Sequence, residues 1–273
     1  MDAGAHPIAA MDIGRMGYAE AYQVQTQQLD AVVASRESDT PSRGVILLVE
    51  HPAVITVSRR GEAAGHVLAT PEALARAGVE LAQTDRGGDV TYHGPGQLVV
   101  YPIIDLNAHN LRIVDYIRLL EGAIIDALAT FGVAAVADPT ATGVWTPDPD
   151  ARPSGAGTAP TPHAKVAAIG VRVKRWVSMH GLAINVDPDL NHFGLIVPCG
   201  LHGRPVTSLR WLLGERCPTM SEVKAAIVAA LRVRLDARTA GRVGGGGRIM
   251  ATPAGIAPPS LTVPARTPPE SPA

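Results

Sequence analysis

Cysteine is scarce in this 273-residue chain, which has only Cys199 and Cys217. Two are too few for a disulfide scaffold, so a reducing cytoplasm is the expected compartment. An excess of charge of one sign is also missing. The formal net charge is -1, whereas a general nucleic-acid binder carries a clear basic surplus, so no nucleic-acid partner is expected. Long apolar runs are absent. The longest, Ala225 to Leu231, falls far short of the roughly 18 residues that span a bilayer. No basic segment followed by an apolar stretch opens the chain, so neither a membrane partner nor a secretory signal is expected. Lysine is rare: three of the 24 basic residues, Lys165, Lys174 and Lys224. Arginine supplies the routine surface charge, and a lysine here is correspondingly informative, because lysine can give up its proton and arginine cannot. What the chain does have is 46 % hydrophobic against 18 % charged residues, enough to bury a sizeable core in one large or two small domains.

The segment Tyr18 to Ser35 lacks Gly and Pro and reads as a helix, with Ala21, Val24, Leu29, Val32 and Val33 only roughly on one face. Val45 to Val49 is a short apolar run bounded by Gly44 and His51-Pro52, as expected of a buried strand. Val54 to Val57 is expected to continue that sheet. Thr70-Pro71-Glu72 has the order of a helix start, and Gly78 of its stop. Arg112 to Phe131 is the clearest helix, with Ile113, Ile117, Leu120, Ile124, Leu128 and Phe131 at helical spacing and Gly132 after it. A second runs from about Ser221 to Leu235, with Val223, Ile227, Leu231 and Leu235 on one face. Between them Val166 to Trp176 and Val177 to Val186 are rich in strand formers. The pattern predicts an α+β fold, a mixed or antiparallel β-sheet covered by helices, over residues 10–240. Within it the Pro-rich stretch 147–162 reads as a surface excursion. Residues 241–273 lack spaced large apolar groups and are expected to form a disordered Gly/Pro-rich tail.

The densest chemistry lies in Arg86-Gly87-Gly88-Asp89-Val90-Thr91-Tyr92-His93-Gly94-Pro95-Gly96-Gln97. Glycines there let backbone approach a ligand. The plain alternative is a hairpin with ordinary turn glycines. Gly94-x-Gly96 is no dinucleotide fingerprint, because Val99 takes the third glycine's place, and Gly244 to Gly247 is no P-loop. Lys165 opens the small-residue strand Val166-Ala167-Ala168-Ile169-Gly170, although lysines at strand ends are commonly only surface charges. Cys199 sits between Pro198 and Gly200, in a turn and not on a regular element. Buried cysteines are usually inert; this setting makes a reactive one equally reasonable, whereas Cys217 reads as incidental. His180, His192, Cys199 and His202 do not match a compact zinc pattern, and no CxxC or HExxH occurs. A papain-like Cys/His pair leaves several histidines to choose from.

In their order these motifs, together with Gly181-Leu182-Ala183-x-Asn185 and Pro198-Cys199-Gly200, resemble the octanoyltransferases of lipoate biosynthesis, the lipoyl(octanoyl) transferase family. The resemblance implies the catalytic fold shared by lipoate and biotin protein ligases. It implies transfer of an octanoyl group from octanoyl-acyl carrier protein to one lysine of lipoyl domains, those of 2-oxoacid dehydrogenase complexes and of the glycine cleavage H protein. No cofactor is implied. Carried over, Cys199 is the acyl-accepting nucleophile and Lys165 lowers its pKa. Arg86, Gly87, Gly88, Asp89, Val90, Thr91, Tyr92 and His93 form the substrate-binding loop, and Ala168, Ile169, Gly170, Gly181, Leu182 and Ala183 line the acyl pocket. The chemistry agrees: a thiolate is both a nucleophile and a good leaving group, and a nearby cation activates it.

Two other readings compete. An ATP-dependent lipoate-protein ligase of the same fold would activate a free acid, and ATP independence of turnover separates it from the transferase. A non-catalytic module binding lipoyl domains or acyl carrier protein would bind without acyl transfer. The tail gives a direct prediction. Truncation after Arg242 is expected to leave activity and melting temperature nearly unchanged, and a large fall in either would show that the tail packs on the domain.

Overall fold

The computed structural model describes residues 8–59, 61–147, 163–197 and 204–240. Ten strands are described, in chain order β1 Ala9–Arg15, β2 Gly44–Glu50, β3 Val54–Ser58, β4 Glu80–Thr84, β5 Val90–His93, β6 Gln97–Ile104, β7 Val136–Asp138, β8 Ala141–Pro147, β9 His163–Lys174 and β10 Val177–Asn185. The helices are α1 Tyr18–Ala34, α2 Pro71–Ala77, α3 Ile113–Ala129, α4 Leu209–Leu213 and α5 Met220–Ala240. Seven strands form one mixed sheet in the order β1-β2-β6-β10-β9-β8-β7, antiparallel except for the β1–β2 pair. A second sheet has the order β4-β3-β5.

Strand alternation divides the core of the large sheet into two layers. Ile46, Leu48, Leu98, Val100, Leu182 and Ile184 face α3 and α5, while Leu47, Val49, Val99, Tyr101, Met179 and Ala183 face α1. On α5 the stripe Val223, Ile227, Leu231 and Leu235 is fully buried, as its spacing predicts. On α3 the buried stripe is rotated: Tyr116, Leu119, Leu120, Ala123, Ile124, Ala127 and Leu128 are inside, and Ile113 is exposed. Thr70 caps α2 by accepting from the Ala73 N–H, and Gly78 ends it in the left-handed region at φ 64°.

Val54 to Val57 does not continue the sheet of β2. It becomes β3, the central strand of the second sheet, which carries its own core of Ile55, Val57, Leu74, Val90 and Tyr92. The break is at His51, which is fully buried and bonds the Met16 carbonyl through Nδ1 and the Tyr101 hydroxyl through Nε2, each at 2.7 Å. That pins the chain at the seam between the sheets, and Pro52 follows it out of the ladder. The glycine-rich motif is not a hairpin either. β5 pairs with β3, β6 pairs with β2 and β10, and Gly94 to Gln97 is the turn by which the chain changes sheets. The Pro-rich excursion lies outside the described residues apart from Pro147, the end of β8, and so does the tail from residue 241.

Gly96 holds the seam. Its carbonyl accepts from the Val186 and Asp187 N–H groups, its own N–H donates to Glu50, and its φ is 84°. A Cβ there would overlap the Asp187 backbone carbonyl. Gly96→Ala combines left-handed strain with a backbone clash, and is expected to cost at least about 2 kcal/mol. The measurement is a melting-temperature fall of roughly 5 °C or more, and an unchanged value would contradict this reading of the turn.

Candidate active site

The two sheets meet around a pocket that is partly open to solvent. Its apolar side comes from neighbouring strands: Ala168, Ile169 and Gly170 of β9, and Gly181, Leu182 and Ala183 of β10. Gly170 stands opposite Gly181, and a Cβ on Gly170 would lie 2.8 Å from the Gly87 carbonyl oxygen. The bare backbone of β9 therefore lets the motif loop close over the strand, and the Gly87 N–H donates to the Val171 carbonyl at 2.8 Å.

The motif residues divide by the alternation of β5. Thr91 and His93 line the pocket with Arg86 and Gly88, while Val90 and Tyr92 point into the core of the second sheet. Asp89 pairs with His66. Arg86 is buried and donates through Nη2 to the Thr56 carbonyl and hydroxyl at 3.0 and 2.9 Å.

Tyr18, Tyr101 and His180 also line the pocket, and none was singled out for it in the sequence. His180 was weighed only as a metal ligand. Alternation from Met179 and Ala183 would turn it toward α3 and α5, but its φ of 55° reverses the side chain toward α1. A non-glycine residue in that region is a strained one. The buried amide of Gln25 on α1 accepts the His180 backbone N–H at 2.8 Å, and His180 Nε2 donates to Asp85 at 2.8 Å. Tyr22 and Arg172 complete the shell of Asp85. Burial pushes Asp85 upward, but the hydrogen bonds from His180 and Tyr22 and the Arg172 charge outweigh it and hold the carboxyl below its ordinary range. Burial lowers His180 and His51, and burial with the neighbouring His51 charge pushes His93 down to about 3. The polar wall thus holds neutral imidazoles. His192 sits apart against Tyr92, ring centroids 4.9 Å away, and no metal-holding group of His, Cys, Asp or Glu occurs among the described residues.

Lys165 lies on β9, 6 % exposed. It lines a smaller cavity with Gln97, Asn185, Phe193 and Val206, and Thr91 and Ala168 are shared with the larger pocket. Its Nζ donates to the Thr142 carbonyl at 3.3 Å and stands 4.7 Å over the Trp145 ring. The guanidinium of Arg204 packs on the same ring at 3.7 Å and pairs with Asp138 at 2.6 Å. Under Lys165, buried Glu121 accepts the Gly143 N–H and an ion pair from Arg118. The Lys165 backbone bonds the chain on both sides of Val206: its N–H donates to Pro205, and its carbonyl accepts from Thr207. Val197, before the described chain breaks off, donates to the His66 carbonyl. Cys199 lies outside the described residues. Cys217 is half-buried against the main core, and burial raises its thiol pKa, as befits an inert side chain.

Residues 18–232 match the family model of the lipoyl protein ligase A/B catalytic domain. The octanoyltransferase of Solibacter usitatus is 46 % identical over 197 residues, 72 % of this chain and 80 % of that protein. That of Koribacter versatilis is 41 % identical over 222 residues, 81 % of each. Among solved structures, the bi-partite lipoate protein ligase of Thermoplasma acidophilum is similar in fold, with a TM-score of 0.59 and 14 % identity over 85 % of both chains. The expected α+β fold and the expected family therefore agree with these relatives, and the chain belongs to the octanoyltransferases of the lipoyl protein ligase A/B family.

Proposed function

We propose that this protein moves an octanoyl group from octanoyl-acyl carrier protein to a lysine of lipoyl domains, through a thioester on Cys199 assisted by Lys165. The observation that carries the reading is the setting of Lys165: a buried lysine in a small cavity that shares Thr91 and Ala168 with an apolar pocket. Pro205 and Thr207, a few residues after Cys199 in the sequence, are bonded to its backbone. The relatives named octanoyltransferase support the same activity.

The chemistry follows from the parts. The octanoyl chain packs along Ala168 to Gly170 and Gly181 to Ala183, each buried methylene contributing about 0.8 kcal/mol. As an ammonium, Lys165 stabilises the Cys199 thiolate, which attacks the donor thioester and releases the carrier's thiol. As an amine, it takes a proton from the incoming lysine, and the thiolate leaves. The Gly-rich backbone of the motif loop and the N–H groups around Gly200 are the candidates for stabilising the oxyanions. Acceptors are the lipoyl domains of 2-oxoacid dehydrogenase complexes and of the glycine cleavage H protein. The reaction needs no cofactor and takes place in the cytoplasm.

Mixing the protein with octanoyl-acyl carrier protein alone is expected to add one octanoyl mass, sensitive to hydroxylamine, on Cys199. An adduct on Cys217, or none, overturns the mechanism. Turnover is expected without ATP. Lys165→Ala should lower transfer at least roughly 100-fold. Lys165→Arg keeps the charge but not the exchangeable proton, so alkylation of Cys199 should persist while turnover is lost. Cys199→Ser should be inactive, because the ester forms and leaves slowly.

A further inference from the structure

His93 sits in the pocket wall at one end of a chain of hydrogen bonds that reaches the backbone of Lys165. His93 Nδ1 is 2.7 Å from Gln97 Oε1. Gln97 Nε2 donates to the Tyr92 carbonyl at 3.2 Å and to Asn185 Oδ1 at 2.9 Å. Asn185 Nδ2 donates to the Thr207 carbonyl at 2.9 Å, and the Thr207 N–H donates to the Lys165 carbonyl at 3.0 Å. Every side chain in the relay is buried.

Two backbone carbonyls fix the direction of the relay. A carbonyl can only accept, so the Thr207 carbonyl faces the NH₂ of Asn185, and the Tyr92 carbonyl faces the NH₂ of Gln97. Both amide orientations are thereby determined. Gln97 Oε1 must then be an acceptor, and His93 Nδ1 must carry the hydrogen. The neutral imidazole left by this arrangement has its lone pair on Nε2. Burial, first of all, keeps the ring neutral, and His51, Arg86 and His180 oppose a positive charge, while Tyr18 of α1 stacks on it. His93 lines the acyl pocket, and Thr91, on the same face of β5, lines both that pocket and the Lys165 cavity.

We infer that His93 Nε2 accepts a hydrogen bond from the attacking amine of the lipoyl-domain lysine, which makes His93 a catalytic residue of the second half-reaction and Gln97 and Asn185 its positioning residues. The inference rests on the transfer reading above. In that step the amine nitrogen bonds the thioester carbon and the C–S bond breaks. One amine proton passes to neutral Lys165 and on to the departing thiolate. The other stays on nitrogen as the amide N–H, and it is this hydrogen that His93 holds. A primary amine entering a buried site needs an acceptor for that second hydrogen. The acceptor also aims the nitrogen lone pair and stabilises the positive charge that develops on nitrogen during attack. An imidazolium would present a donor there and repel it.

The test begins with the unmodified full chain. Nitrogen-15 NMR of its histidines is expected to show His93 as the Nδ1–H tautomer, without titration between about pH 5 and 8. Single-turnover kinetics then separate acylation by octanoyl-acyl carrier protein from transfer of the preformed acyl group to a lipoyl domain. Gln97→Glu places a carboxylate against Nδ1–H and favours the imidazolium. Transfer of the preformed acyl group should fall about tenfold at low pH and recover as pH rises, an inflection the parent protein lacks. His93→Phe keeps a ring against Tyr18 but has no lone pair, so it should show the transfer defect at every pH. An Nε2–H tautomer, a loss that falls on acylation instead, or an unchanged transfer step overturns the inference. Failure of the unmodified protein to form any acyl-enzyme would refute the underlying transfer reading instead, and would take the amine role of His93 with it.

Discussion

Everything at this site depends on one seam, where the second sheet is hinged to the first by the turn at Gly96. There the chain leaves β5, bonds Glu50 through the Gly96 N–H, receives two N–H groups from Val186 and Asp187, and enters β6. The seam brings the pocket-facing side of β5 against β9 and β10. It also sets Gln97, the first residue after the turn, between His93 and Asn185. Neither sheet alone encloses the pocket, so the fixed geometry of a few backbone groups becomes the geometry of the site.

Electrostatics at the seam follow from burial. Four rings, Tyr18, His51, His93 and Tyr101, pack edge to face, stacked or tilted with centroids 5.6 to 6.4 Å apart. Both ring nitrogens of His51 are bonded inside the protein, to the Met16 carbonyl and Tyr101, as are the Tyr18 hydroxyl, to Thr84, and His93 Nδ1, to Gln97. Burying charged imidazoles together would be costly, and the structure avoids that cost by holding them neutral. Charge is held by specific partners instead: Arg86 by Thr56 in the pocket wall, and Asp85 by Tyr22, Arg172 and His180. The strain of a left-handed His180 is offset by two buried hydrogen bonds, one to its backbone and one to its ring.

Local signals in the sequence carried far, and their limits have physical reasons. The helix face of α5, the cap of α2, the strands β2, β9 and β10 and the fold class could be read directly, because periodicity and capping are properties of neighbouring residues. Ile113 shares the helical spacing of α3 but is exposed, at the first residue of the helix. The departure of β3 into a second sheet was not legible, because it is decided by a histidine bonding groups far along the chain. The motifs pointed to Thr91, His93 and Lys165, but not to Tyr18, Tyr101 or His180, which reach the pocket from separate elements. Gln25 carried a usable signal: a polar residue amid the apolar positions of α1, it proved fully buried and bonded to the His180 backbone.

The surroundings of Lys165 show how a fold can hold one buried lysine in a fixed setting. Its backbone is rigid, paired within β9 and bonded to Pro205 and Thr207, so the side chain starts from a fixed point. Its ammonium meets a carbonyl and an aromatic face. Both contacts hold the side chain in place inside the cavity. Arg204 occupies the same ring and is held by Asp138, so the Trp145 platform also anchors the chain where it resumes after the cysteine segment. Lys165 and the chain from Arg204 to Thr207 are therefore tethered to one buried ring and one strand.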